Sequence, residues 1–311
     1  VDVYNKKTID AIFPVEIPGE TPSSPSTIMK NVGEIVNKGI EATLTVRPFS
    51  KGDFNWTISG NFAYNKSEVG DLIDNSAIYL EGGAKAIQSG RMFGEYYMVG
   101  WAGVDPTNGD PLFYTDGTKT ATTNNYAEAS KYFQGKSPFP KYMAGLRNDL
   151  NYKNWTLSVF LSGQFDYSVV DNFSKFVYND GSYFDINTYK ENLYDSWSET
   201  NKNASIPKQV EGNGSGSNKM STRFLRKGDH IRLKEVKLAY SLGDKLESAG
   251  ISNLTLYVRG TNLLTWAFDK DLTFDPETNS NGFSYGWQGK GAYDYTTPIM
   301  KNISIGVSID F

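Results

Sequence analysis

The stretch "FNWTISGNFAY", Phe54 to Tyr64, shows the pattern on which the fold of this chain depends. Its large apolar side chains alternate with polar ones, which is the two-residue period of a β-strand. A strand of this kind has one apolar face and one polar face. In a water-soluble sandwich the apolar face would form the core, whereas in a membrane barrel it would contact lipid. Alternation alone does not separate these two structures.

The length of the alternating segments favours the barrel. Strands in soluble proteins average about five or six residues, whereas a tilted strand needs about nine to eleven to cross a bilayer. In one segment the alternation slips between Leu233 and Val236, which predicts a β-bulge. The other alternating segments are Gly39 to Phe49, Tyr142 to Leu150, Trp155 to Phe165, Ile231 to Tyr240, Leu254 to Asn262 and Lys301 to Phe311.

The order of the aromatic residues supports the same structure. On the apolar face of Phe54 to Tyr64, two aromatic residues stand at each end, and Ile58 and Gly60 lie between them. Trp155 and Phe165 bracket another segment in the same way. Aromatic rings of barrels prefer the two membrane interfaces, with aliphatic residues between them. The sequence therefore predicts an all-β chain that forms a transmembrane antiparallel β-barrel, and a soluble sandwich is the alternative.

Connections of two lengths join the predicted strands. Phe49 to Asp53 and Asn151 to Asn154 are short. Asn65 to Lys141, Asp166 to Ser221 and Thr265 to Met300 are long. Short turns on one side and long loops on the other are typical of outer-membrane barrels. We therefore predict long extracellular loops and, because loops of this length are often functional, a role for them in function.

Composition excludes several classes of function. The chain has no cysteine, one histidine and a formal net charge of -4. Disulfide scaffolds and Cys- or His-based metal sites are therefore excluded, and a nucleic-acid partner is not expected. No nucleophile motif surrounds Asp229 and His230, so we interpret the pair as a hydrogen bond at a strand end. We expect neither an enzyme nor a cofactor.

Two acidic stretches have the oxygen-rich spacing of a calcium loop. Neither fits the EF-hand pattern, and Asp-Pro and Asn-Gly are turn-forming pairs, so we predict turns without a metal. The residues concerned are Asp105, Asn108 and Asp110 in one stretch and Asp269, Asp271 and Asp275 in the other.

Several blocks of sequence resemble the C-terminal half of the barrel of SusC/RagA-family TonB-dependent outer-membrane transporters. The blocks "GWAGVDPTNGDPLFY" and "FLRKGDHIRLKEVKLAYSL" are specific to that family, and the terminal "SIGVSIDF" follows them in family order. The matching ranges are Asn31 to Leu44, Gly90 to Gly117, Gly135 to Asp171, Phe224 to Leu242 and Leu256 to Trp266.

The resemblance implies a plugged barrel of roughly 22 strands in the outer membrane of a Gram-negative bacterium, which the chain crosses many times. Residues 1–311 would be the C-terminal part of that single barrel domain. The plug, the segment that contacts TonB and the N-terminal strands are expected to be absent from this chain.

The resemblance also implies a function and partners. Such transporters import glycan or peptide oligomers, with a SusD-like surface lipoprotein as a lid and the TonB complex acting through the missing N-terminal part. A dimeric transporter complex is compatible with this resemblance. A passive outer-membrane porin and, further away, a soluble glycan-binding β-sandwich are the alternatives.

Two groups of residues are candidates for these contacts. Aromatic residues of the long loops could stack on sugar rings or pack among the loops and against a lid: Tyr96, Tyr97, Trp101, Trp197, Tyr285 and Trp287. The apolar positions of the last strand are expected to face lipid: Ile303, Ile305, Val307, Ile309 and Phe311.

Overall fold

The computed structural model describes residues 1–16, 27–72, 77–80, 84–183, 185–280 and 289–311. No helix in these ranges is both long and apolar enough to cross a membrane. The helices are α1 (Ser174–Val177) and α2 (Glu191–Tyr194), with 3-10 turns at Tyr126–Glu128, Thr222–Phe224 and Gly243–Ala249. In chain order the strands are β1 (Asp2–Glu16), β2 (Thr27–Lys51), β3 (Phe54–Leu72), β4 (Ile78–Tyr79), β5 (Ala86–Ile87), β6 (Tyr97–Val99), β7 (Trp101–Val104), β8 (Pro111–Tyr114), β9 (Thr122–Thr123), β10 (Lys131–Phe133), β11 (Tyr142–Tyr152), β12 (Trp155–Phe165), β13 (Ser168–Asp171), β14 (Leu225–Lys227), β15 (His230–Ser241), β16 (Asn253–Ala267), β17 (Ala292–Tyr293) and β18 (Asn302–Asp310).

The long strands form one antiparallel sheet, and we call this sheet the wall. It has eight strands in the order β1-β2-β3-β11-β12-β15-β16-β18. Neighbours in the wall follow chain order, as in the meander of an up-and-down barrel. The wall is open at β1 and β18, as expected for part of a barrel. The predicted bounds of β12 are confirmed, whereas β2 and β3 run past the predicted segments, to 25 and 19 residues.

Strand register makes the apolar residues one continuous face. Residues directly opposite each other in an antiparallel pair point to the same side of a sheet. Ile305 lies opposite Val258, which lies opposite Leu238. Leu238 in turn lies opposite Leu157, and Leu157 opposite Leu150. The alternation of each strand therefore adds up to a single apolar surface across the wall.

The predicted β-bulge is confirmed in β15. The pairing of β15 with β16 shifts register between Leu233 and Glu235. Leu233 and Val236 are an odd number of residues apart, so a regular strand would place them on opposite faces. The extra residue keeps both on the apolar face, because a bulge restores the alternation after one residue is inserted.

The short connections lie together at one end of the wall. Gly52 and Asp53 turn β2 into β3, and Lys153 and Asn154 turn β11 into β12. Gly52 has φ +61°, a left-handed conformation that glycine adopts without steric cost. These two predicted short turns are confirmed.

The long connections pack together at the other end, and we call them the loop unit. Strand β13 pairs with β14 and, in parallel, with β17. The buried Tyr96 hydroxyl donates to the Ser168 carbonyl at 3.0 Å and lies 3.2 Å from the Gly291 carbonyl. One side chain of the first loop thus contacts both other loops. The core of the loop unit contains Tyr96, Met98, Val170, Phe224 and Ala292.

Candidate functional site

The apolar face of the wall is exposed. In β18, Ile305 is 82% exposed and Val307 55% exposed. Side chains of a sandwich core would be buried against a second sheet. The soluble β-sandwich is therefore the wrong interpretation of this alternation. Contact with lipid remains a prediction for the whole set, Ile303, Ile305, Val307, Ile309 and Phe311, all of which are exposed.

Aromatic rings pair across strands near both ends of this face. At the turn end, the rings of Phe49 and Trp56 stack with centroids 6.1 Å apart, and those of Trp155 and Tyr240 lie 4.8 Å apart. Two bands of rings separated by aliphatic residues match the aromatic girdles of membrane barrels. At the loop end the corresponding pairs are Tyr64 with Tyr142 and Phe165 with Phe268.

The opposite face of the wall carries a row of charges that crosses four strands. Arg147 Nε lies 3.2 Å from Asp149 Oδ2, and Arg147 Nη2 lies 3.5 Å from Glu235 Oε1. Arg259 Nη2 contacts the other oxygen of Glu235 at 2.6 Å. The Ser158 hydroxyl donates to Asp149 at 2.6 Å. Because both arginines are half exposed, each pair contributes at most about 1 kcal/mol to stability.

A buried ion pair ties the wall to the third long loop. Arg232 of β15 is 2% exposed, and its Nη2 lies 2.5 Å from Asp275 Oδ1. Its Nε lies 3.0 Å from Glu277 Oε2, which also contacts Lys234 Nζ at 2.8 Å. Two carboxylates of the loop therefore depend on one buried guanidinium of the wall. This fixes where the loop returns over the polar face.

His230 lies next to this ion pair. Its Nδ1 is 2.9 Å from the Gly228 carbonyl, and the Tyr167 hydroxyl lies 3.0 Å from the same nitrogen. The Tyr167 hydroxyl also donates to the Pro276 carbonyl at 3.0 Å. Burial raises the pKa of Tyr167, so its hydroxyl stays protonated and can donate this hydrogen bond. The interpretation of His230 as a hydrogen-bonded residue at a strand end is confirmed.

A cavity of about 520 Å³ opens where the three long loops meet. Trp101 of the first loop lines it, together with Tyr178 of the second loop and Arg223 of the 3-10 turn that follows that loop. Arg226 belongs to β14, and Lys270 belongs to the third loop. Aromatic and cationic side chains from separate loops thus converge on one pocket. Binding pockets commonly combine apolar walls with a few placed polar groups, so this cavity is the candidate ligand site.

Arg223 lies half-buried in the wall of this cavity. Its guanidinium donates to the carbonyls of Ser217 at 3.0 Å and Tyr178 at 2.9 Å. The guanidinium carbon lies 5.0 Å from the centre of the Trp101 ring, within cation-π distance. Burial is the main cause that lowers the pKa of Arg223 to about 10; the charge of Asp180 opposes this shift, and that of Arg226 adds to it. Arg223 therefore remains charged at neutral pH.

The aromatic candidates of the loops occupy different environments. The Tyr96 ring is fully buried, so it offers no face for stacking on a sugar and follows the alternative of packing among the loops. Tyr97 packs against Phe133 with ring centroids 4.9 Å apart. The indole nitrogen of Trp197 donates to the Pro106 carbonyl at 3.1 Å. Of the four candidates that the structure describes, Trp101 lines the cavity. Tyr285 and Trp287 lie outside the described residues.

The first acidic stretch forms turns. Asp105 Oδ1 accepts hydrogen bonds from the Thr107 amide and hydroxyl, and this lowers the pKa of Asp105. Asn108 accepts from the Asp110 amide, and Asp110 pairs with Lys208 at 2.9 Å. These oxygens are occupied by local donors, so the turn interpretation is confirmed there. In the second stretch, Asp275 holds Arg232.

Comparison with known proteins gives a consistent result. No family model matches the chain. It is 27% identical over 337 residues to TonB-dependent receptor P3 of Formosa agariphila, covering all of this chain and 32% of the relative. It is 25% identical to TonB-dependent receptor SusC of Bacteroides thetaiotaomicron, covering 30% of that protein. The chain thus spans about a third of the length of these relatives.

Solved structures agree. The RagAB peptide transporter superimposes with a TM-score of 0.84 at 25% identity, over 99% of this chain and 33% of the other. The RagAB peptide importer in its closed-closed state gives a TM-score of 0.83 at 26% identity. These matches confirm the resemblance to TonB-dependent receptors of the SusC/RagA type and the barrel fold. The relatives are named as receptors and transporters, which agrees with the expectation that the chain is not an enzyme.

Proposed function

We propose that this chain is part of an outer-membrane TonB-dependent nutrient importer of the SusC type. Residues 1–311 would form the C-terminal part of the single barrel domain, and the plug and the N-terminal strands would lie outside this chain. The observation that carries the proposal is the continuous exposed apolar face of the wall, bounded by two rows of aromatic rings and continued by a loop unit with an open cavity.

The proposed cargo is an oligomer of sugars or of amino acids. SusC and the RagAB peptide transporter are among the similar proteins, and the second is named for peptides. We propose a SusD-like surface lipoprotein as the partner at the loop unit and the TonB complex as the source of energy through the remainder of the protein. A dimeric transporter complex is part of this proposal.

The test uses the full-length protein in its own outer membrane. Fractionation locates the protein, and affinity purification in detergent identifies a co-purifying lipoprotein. Uptake of labelled peptide and glycan oligomers is then compared in cells with and without the gene, before and after collapse of the proton gradient. Importer function predicts uptake that requires both the gene and the gradient. Uptake that requires the gene and survives the collapse would indicate a porin, and a protein in the soluble fraction would overturn both.

A further inference from the structure

The charge on Arg223 faces the cavity without a close carboxylate. Its guanidinium donates hydrogen bonds to the backbone carbonyls of Ser217 and Tyr178. In the part of the chain that the structure describes, Arg223 forms no ion pair, although the charge of the buried Asp180 opposes the lowering of its pKa by burial. A guanidinium whose hydrogen bonds go to neutral carbonyls, and whose acidic neighbour lies beyond ion-pair distance, can still bind an anion. Arg223 thus supplies one wall of the cavity with a positive charge that can bind a negative group.

Arg226 adds a second guanidinium to the same wall. Its one ion pair in the described ranges is with Asp271, at 3.8 Å, and Asp271 is 77% exposed. The Arg226 Nε atom is buried and makes no hydrogen bond in the structure. Burial is the main cause that lowers the pKa of Arg223, and because Arg226 is close, its charge adds to this shift. Two like charges with free donor capacity favour a carboxylate, which guanidinium groups bind through paired hydrogen bonds.

The acidic residues of the cavity lie nearer its mouth than the two arginines do. Glu191 and Asp271 are exposed, so they form the outer rim, whereas the two arginines lie deeper. Asp195 accepts a hydrogen bond from the Ser205 hydroxyl. The cavity therefore combines a cationic floor with an exposed rim that holds two carboxylates and Lys270. A chain that carries both a carboxylate and a cationic group complements both regions, and peptides provide both, whereas acidic glycans provide the carboxylate alone.

We propose that this cavity binds a carboxylate of a peptide through Arg223 and Arg226, with Trp101 and Tyr178 packing against the adjoining residue of the peptide. The inference rests on the proposed function and specifies its substrate class. The carboxylate would meet the guanidinium groups at the floor, while a lysine or arginine of the peptide would lie near Glu191 and Asp271 at the rim.

The test compares two probes on the purified full-length protein with its co-purifying partners. One probe is an Ala/Gly/Ser-rich peptide with an internal lysine and a free C-terminal carboxylate, and the other is the same peptide with a C-terminal amide. Calorimetry should show tighter binding of the free acid to the wild type. Arg226→Gln should weaken binding of the free acid about tenfold, since a charge-assisted hydrogen bond is lost, and should leave the amide unchanged.

The matched control is Lys202→Gln, an exposed cation of the second loop that pairs with Glu199 and does not line the cavity. It should bind both probes like the wild type. Arg223→Gln is the less suitable variant, because it also removes two hydrogen bonds that support the loop. Circular dichroism and heat-modifiable mobility on gels establish that each variant is folded.

Three outcomes overturn the inference. They are equal wild-type affinity for the acid and the amide, no effect of Arg226→Gln on the acid, and, when oligogalacturonate is titrated as a third probe, Arg226-dependent binding of it at higher affinity than the peptide. Each leaves the importer intact as long as uptake still requires the gene and the proton gradient. Loss of gene-dependent uptake in the earlier experiment would instead remove the proposed function itself.

Discussion

The wall and the loop unit place their apolar side chains in opposite directions. In the wall, Ile305 and Val258 are exposed on one face, and the charged row of Arg147 and Glu235 lies on the other. In the loop unit, Tyr96 and Phe113 are fully buried, and charges lie mainly at the surface. The two regions are therefore suited to different surroundings, an apolar one around the wall and water around the loops. Changes of the same chemical kind should have different effects in the two regions.

The largest effect is expected where the two regions join. Arg232→Gln removes the buried charge that compensates Asp275 and Glu277, so the full-length protein should lose about 3 to 5 kcal/mol of unfolding free energy. Denaturant titration in detergent measures the loss, and limited proteolysis should show cleavage in the third loop. Lys234→Gln, which removes a more exposed partner of Glu277, is the control. Equal effects of the two changes would mean that the buried pair does not hold the loop.

Next in size is a charge placed on the apolar face of the wall. Val307→Arg should cost about 2 to 4 kcal/mol if this position lies near the middle of the bilayer. The outer-membrane fraction should then contain less folded protein, measured by heat-modifiable mobility on gels. Ser308→Arg introduces the same side chain one residue later, on the polar face, and should be tolerated. If both variants insert equally well, the assignment of the two faces is wrong.

A smaller effect is expected inside the loop unit. Tyr96→Phe removes the hydroxyl that donates to Ser168 and lies near the Gly291 carbonyl, at a cost of about 1 to 3 kcal/mol. Hydrogen exchange around these carbonyls should become faster, while exchange in the wall stays the same. Tyr194→Phe alters an exposed tyrosine and serves as the control. Faster exchange in the wall strands as well would show that the two regions unfold together.

The smallest effect is expected from the charged row on the polar face. Arg259→Gln breaks its 2.6 Å pair with Glu235, but Arg259 is half exposed. Water and salt screen such a pair, so the loss should stay below about 1 kcal/mol and shrink further at high ionic strength. Thermal unfolding of the wild type and of Arg259→Gln at low and high salt measures this loss of stability. A loss as large as that of Arg232→Gln would show that the row is much less accessible to water than its exposure indicates.

The sequence predicted the wall well where the chain alternates. The bounds of β12, the short turns at Gly52 and Lys153, and the bulge after Leu233 all follow from local periodicity and turn chemistry. Strand β1 and the end of β3 were missed. Both contain polar residues on both faces, such as the "NKSE" that begins at Asn65. These parts continue beyond the aromatic row at the loop end, so an apolar face is not required there.

The loop unit was harder to predict because its contacts join residues far apart in the chain. For Tyr96 the sequence left stacking on a sugar and packing among the loops open, because its partners Ser168 and Gly291 lie in other loops and no local pattern predicts them. The Arg223 site was missed for the same reason, since its guanidinium binds the Tyr178 carbonyl. Trp101 was found because large loop aromatics near a binding mouth are good candidates from residue type alone.

The alternation of short and long connections has a consequence for how the wall assembles. The two strands on either side of Gly52 or Lys153 can pair after closing a turn of two residues. Pairing β3 with β11 requires closure of the whole first loop, and each doubling of loop length adds about 0.6 kcal/mol of entropic cost. The hairpins β2-β3 and β11-β12 should therefore form early, as local units, and join side by side in a slower step. Turn length sets the order of folding, and the loop unit can complete its packing after the hairpins have met.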